Sequence, residues 1–185
     1  MSKNKLKRFA QGFIPFLAFN IPFPYFAQIN QFEYKVPVEI QEEVKSEAMI
    51  IEAHRAEKID SYFRNRNMPL EGYGLKLVRE AQKYELDWRL MPAIAVRESS
   101  GGKNACGNNP FGWGSCRIGF KSIDEAIETI ARNISGNNPN TKKYYSTSDL
   151  YKKLERYNGR AVITYPEEVL AIMDSFEFEV LTFAK

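Results

Sequence analysis

Apolar positions along this chain recur with helical periodicity. From about Pro37 to Asn65, Ile40, Val44, Ala48, Ile51, Ile59, Tyr62 and Phe63 punctuate a highly charged stretch, mostly at steps of three or four. This pattern predicts a helix whose first half is a solvent-exposed connector and whose second half packs. Met68-Pro69-Leu70 and Gly72-Tyr73-Gly74 break it. A second helix follows, with Leu75, Val78, Ala81 and Gln82 on its buried face. Asp87 is placed to cap a third helix, Trp88 to Ser99, which stops at Gly101-Gly102. An irregular stretch of Asn, Gly, Pro and aromatics runs to Gly119. Ser122 and Glu125 then form a capping box for a helix carrying Ala126, Ile127, Ile130, Ala131 and Ile134. Beyond a loop at 136–140, two short helices fit 148–157 and 166–176, the latter opened by proline at its first position. The expected fold class is mainly α: a bundle of short helices with a small hairpin near Trp113–Phe120, or an irregular loop, beside a groove.

Composition narrows the function. The chain has 185 residues, 44% hydrophobic and 26% charged, enough for a packed core and unlike a disordered chain. Its net charge is +3, but residues 1–27 carry Lys3, Lys5, Lys7 and Arg8 and no acid. The remainder is slightly acidic, so nothing points to nucleic acid as a partner. One histidine and two cysteines cannot build a four-ligand Cys/His zinc site. No Gly-rich phosphate fingerprint appears. No metal and no organic cofactor is expected.

The N-terminus reads as an address. A basic segment at 1–8 precedes the apolar stretch Phe13 to Phe26, with Ala27 at a cleavage position. Residues 1–27 are a signal peptide, or an uncleaved N-terminal anchor that is then the sole membrane contact. Either way the expected location is exported, in the cell envelope or outside the cell. Residues 28–54 are a linker and charged helix. Cys106 and Cys116, ten residues apart, suit a disulfide in an oxidising compartment; two free thiols are the alternative, and the spacing is not C-x-x-C. His54 sits among charges and is given no role.

One residue of the third helix stands apart. Met91, Ile94, Ala95 and Glu98 fall near one face. Two readings fit Glu98. It is a surface glutamate ending a helix, free or in a pair with Arg97, or it is a carboxyl at the inner end of a buried helix. In the second case lost solvation favours its protonated form, which a general acid for glycosidic cleavage requires. Ten residues on, Asn108-Asn109-Pro110-Phe111-Gly112-Trp113-Gly114 combines amides, aromatics and glycines. Amides hydrogen-bond sugars, aromatic faces cover the apolar side of a ring, and glycines let backbone approach.

Together, Ala93-Ile94-Ala95-Val96-Arg97-Glu98-Ser99-Ser100-Gly101-Gly102 and Asn108-Asn109-Pro110-Phe111-Gly112 resemble the bacterial glucosaminidase family of cell-wall hydrolases, the mannosyl-glycoprotein endo-β-N-acetylglucosaminidase-like domains. Phe120 to Ile127 is similar to the family's next helix start. The resemblance covers about residues 55–178, read as the catalytic domain, with 179–185 as a tail. It implies a lysozyme-like, mostly helical fold, α+β at most, with a groove between two lobes. It also implies Glu98 as general acid with a tyrosine beside it; Tyr165 is the first choice, because it precedes the last helix, and Tyr144 the second. Ser99, Asn108, Asn109, Phe111, Trp113 and Tyr144 are the substrate-binding candidates. One departure matters: Gly114 to Ile123 is short and holds no acid, where many members insert a lobe bearing a second carboxylate, so a base is left to Glu167, Glu168 or another part of the chain.

Three functions follow. The leading one is an exported peptidoglycan hydrolase cutting β-1,4 bonds of N-acetylhexosamine glycan strands. A lytic transglycosylase, using Glu98 first as acid and then as base, is its chemical rival. A non-catalytic glycan-binding module is the second class, and an adaptor that binds through its charged helix is the third. The oligomeric state is not legible.

Overall fold

The computed structural model describes residues 38–179 and residue 181. The predicted signal segment 1–27 and the linker 28–37 lie outside the described residues. Helix α1, Val38–Asn65, is exposed from Glu42 to Ile51, and burial sets in at Ala56, Ile59, Tyr62 and Phe63. A compact unit begins at Glu42.

Helix α2, Gly74–Lys83, starts hard against α1. Asp60 Oδ1 accepts from the amides of Gly72 and Gly74 at 2.8 and 2.9 Å. A Cβ at Gly74 would lie 2.3 Å from the Ala56 carbonyl oxygen, so only glycine fits. This contact fixes the helix phase. The buried stripe is Gly74, Leu77, Val78 and Ala81, whereas Leu75 and Gln82, expected inside, are exposed.

Helix α3, Leu90–Ser99, is the central element, with every residue from Leu90 to Ala95 buried. It starts two residues later than expected, because Asp87 caps a turn instead: its carboxylate accepts from the Arg89 amide at 2.9 Å and from the Arg89 guanidinium. Its end is a left-handed cap at Ser100 (φ 54°), continued through Gly101 and Gly102.

Helix α4, Ile123–Ile134, buries Ala126, Ile127, Ile130, Ala131 and Ile134 as the sequence predicts. Ser122 Oγ accepts from the Glu125 amide, while the Glu125 carboxylate accepts from Lys121 rather than Ser122. A single turn, α5 (Lys142–Tyr145), was not anticipated. Helix α6, Leu150–Tyr157, is capped by Asp149, and α7, Tyr165–Glu177, carries proline in its first turn.

The fold is mainly α. No strand occurs among the described residues, so the hairpin considered near Trp113–Phe120 is an irregular loop of turns. Helix α3 packs chiefly against α7, α2 against α4, and α6 against α7. Phe63, Leu77, Met91, Ile94, Ile127, Ile130 and Phe176 form the core between them. No described helix is long and apolar enough to cross a membrane.

Candidate active site

The end of α3, the loop after it and the start of α7 converge on Glu98. Tyr165, the first residue of α7, is buried, and its hydroxyl donates to Glu98 Oε1 at 2.6 Å. Burial is the main reason its phenol is pushed far above the ordinary tyrosine value, and the bond to Glu98 adds to the shift. The phenol therefore stays neutral and acts as a donor. Glu98 Oε2 faces Gly112, where a Cβ would lie only 2.7 Å from it. Gly112 is left-handed (φ 63°), so the loop both turns and exposes bare backbone at the carboxylate. The structure brings Glu98 and Tyr165 together as expected. It corrects the reading of Glu98 as the buried end of an apolar face: the residue is exposed, because the helix emerges from the body there, and Ser99 turns inward instead.

Beside Gly112 lies a cavity of about 380 Å³ lined by Trp113, Gly114, Ser115, Tyr145 and Tyr157, within the ~300–1,000 Å³ typical of small-ligand sites. The ring of Trp113 lies 5.6 Å from that of Tyr157 and 6.2 Å from that of Tyr145. Tyr157 stacks on Tyr165 at 6.3 Å with 12° between planes. Burial raises the Tyr145 phenol to about 12 and the Tyr157 phenol well above its usual value. All three phenols are neutral at pH 7, and their rings offer apolar faces.

The remaining predicted binding residues build the loop rather than face the cavity. Ser99 Oγ is buried and donates to Pro110 O at 2.7 Å while accepting from the Gly102 amide. Asn109 is buried too: its Nδ2 donates to Trp113 O and Ile118 O, and its Oδ1 accepts from the Trp113 amide. Asn108 Nδ2 donates to Phe120 O and Lys121 O at 3.1 and 3.0 Å. Phe111 is wholly buried in the core, and its carbonyl accepts from Tyr157 at 2.7 Å. These side chains shape the backbone that carries Gly112 and Trp113. Cys106 and Cys116 are disulfide-bonded and close the same loop. Tyr144 is exposed, with Lys143 over its ring, and its neighbour Tyr145 lines the cavity.

Arg97, considered above as a partner of Glu98, and Glu168 complete the surroundings. Arg97 pairs with Glu168 and lies 5.5 Å from the Tyr165 ring. Glu168 also accepts from Thr164 at 2.6 Å, and this bond first and Arg97 second hold its carboxyl below the usual glutamate value. Glu167 accepts from Tyr151 at 2.6 Å. Both carboxylates considered as a second catalytic group are thus engaged elsewhere. No cluster of three or more His, Cys, Asp or Glu among the described residues is placed to hold a metal ion.

No family model matches the chain, and no curated protein or solved structure is detectably similar to it. The likeness to glucosaminidases rests on the motifs at 93–102, 108–112 and 120–127.

Proposed function

We propose that the chain is an exported peptidoglycan-cleaving enzyme that cuts β-1,4 bonds between N-acetylhexosamine units, with Glu98 as general acid. The observation that carries this reading is the pairing of Glu98 with Tyr165 at the edge of a cavity walled by Trp113, Tyr145 and Tyr157. Aromatic faces suit sugar rings, and a carboxyl beside them suits proton delivery to a glycosidic oxygen. Tyr165 fixes one oxygen of Glu98 and leaves the other toward Gly112. No metal or organic cofactor takes part.

The engagement of Glu167 and Glu168 favours a second form of the same chemistry. An inverting hydrolase needs a base roughly 6.5–9.5 Å from its acid. A transglycosylase needs none: the muramyl 6-hydroxyl attacks C1, the C1–O bond breaks, the leaving oxygen takes the proton of Glu98, and Glu98 takes the hydroxyl proton. Incubation with purified peptidoglycan, read by mass spectrometry, separates the two. Reducing ends mean hydrolysis; anhydro ends, lighter by one water, mean ring closure. Glu98→Gln abolishes both product types while folding normally. A folded, active Glu98→Gln protein sinks the proposal, as does a wild-type protein that binds glycan and releases nothing.

A further inference from the structure

A second cavity, of about 720 Å³, opens at the other end of α3. Leu90, in the first turn of α3, lines it, and Glu98 ends that helix about 12 Å away along the axis at 1.5 Å per residue. The two cavities share a border in the chain. Tyr145 lines the aromatic one, and the next three residues, Ser146, Thr147 and Ser148, line this one. Leu90, Leu150 and Tyr84 give it apolar wall; the three hydroxyl residues give it polar wall.

Its charges decide what it accepts. Lys83 is held by Glu80 at 3.3 Å, and Asp87 is held by Arg89 at 2.7 Å. Lys153 differs. Its ammonium is partly buried and donates to Ile134 O, at the end of α4, at 2.8 Å. No carboxylate pairs with it among the described residues. Burial holds its pKa below the ordinary lysine value. One carbonyl uses one of three N–H donors, so two remain. Glu85 lines the same cavity and is in no ion pair among the described residues, so a phosphate or polyanion sets more than one negative charge against one acid and one available cation. A single carboxylate on a neutral or amine-bearing body sets only one. Apolar walls suit alkyl side chains, and hydroxyls suit amides.

Those requirements describe a short peptide with a free carboxylate. We infer that this cavity binds the peptide branch of the glycan polymer, its carboxylate on Lys153; this rests on the glycan-cleaving reading above.

The test uses the full chain and synthetic L-alanyl-D-isoglutaminyl-L-lysyl-D-alanine, whose one carboxyl is the C-terminal one, as the free acid and as its C-terminal amide (the diamide). Calorimetry gives Kd, and amide shifts of Tyr84 and Ser146–Ser148 give location. The acid binds, and the diamide binds at least about tenfold more weakly, as expected for loss of a charge-assisted bond. Lys153→Met weakens the acid equally. Ser148→Trp, which keeps Lys153 and its carbonyl partner but fills an exposed wall position, does the same, so a folding defect in one variant is not decisive. Equal affinity for acid and diamide, undiminished binding by both variants, or shifts confined to 112–115 overturns the inference. Glu98→Gln keeps peptide binding. If that variant still releases glycan fragments, the cleavage reading falls and the peptide site stands; if it is inactive and no peptide binds, only the peptide site falls.

Discussion

Replacing Gly112 by alanine puts a methyl carbon 2.7 Å from Glu98 Oε2 and 3.4 Å from its Cδ. It also forces alanine into a left-handed conformation at φ 63°, which costs about 1–2 kcal/mol. Gly107 separates these effects. It lies in the same disulfide-closed loop at φ 59°, yet a Cβ there meets nothing within 4 Å. Gly107→Ala therefore carries the backbone cost alone, and activity stays near wild type. At Gly112 the obstructing atom is the tip of a flexible side chain, so the clash is relieved by displacing the carboxylate. That displacement takes the acceptor from the buried Tyr165 hydroxyl, adding about 1–3 kcal/mol for an unsatisfied donor. It also moves the proposed acid by several tenths of an ångström. A misplacement of order 1 Å costs about 10²-fold in rate, so Gly112→Ala loses about 10- to 100-fold in kcat/KM. Urea denaturation and glycan release, measured on both variants and wild type, give the comparison. Equal activity of the two variants refutes the argument that Gly112 is required by its contact with Glu98.

Tyr165→Phe removes the donor to Glu98 Oε1 and keeps the stacked ring; stability falls by about 1 kcal/mol while kcat falls more than KM rises, read by steady-state kinetics on glycan fragments. Cys106→Ser combined with Cys116→Ser opens the loop that carries Gly112 and lowers stability by roughly 2–3 kcal/mol on the loop-entropy model, measured by denaturation beside the oxidised protein. The lowered Glu168 carboxyl, bonded to Thr164 and Arg97, contributes stability that is complete above the ordinary glutamate value and disappears as pH falls through the lowered one. The stability gap between wild type and Glu168→Gln thus shrinks on acidification from pH 7 to pH 3, and a gap that grows contradicts the assignment.

Most of the helices were legible because their signals are local. Ser122 and the 126/127/130/131/134 stripe define α4 without any tertiary knowledge. Phase was not legible at α2, where the tight fit of Gly74 on Ala56 turns Leu77 inward and leaves Leu75 outside. The same limit governed the tyrosines. Tyr144 and Tyr145 are neighbours on one turn, and only the packing of that turn decides that Tyr145 meets Trp113. Tyr157 had a usable signal, since Leu150, Leu154 and Tyr157 fall on one helical face. For Glu98 periodicity left exposure open, and the structure decides for the surface reading, because a helix leaving the core carries its end into solvent whatever face it shares. Amide-rich loop residues looked like ligand contacts, yet an irregular loop must satisfy its own backbone, and Asn108 and Asn109 serve that need.

That use of side chains bears on how the site works. The segment 109–113 has no regular secondary structure, yet it must hold Gly112 against Glu98. Four independent ties meet on it: Ser99 to Pro110, Tyr157 to Phe111, Asn109 to Trp113, and the Cys106–Cys116 bond around all of them. Two of them come from the elements that define the site, since Ser99 follows Glu98 and Tyr157 stacks on Tyr165. A shift of the loop therefore strains the anchors of the carboxylate and of its tyrosine together. Under the proposed chemistry this coupling holds the acid in place without a second lobe. Position is set by cross-bonds to and within one short loop, and the transglycosylase form of the proposal asks for no second carboxylate.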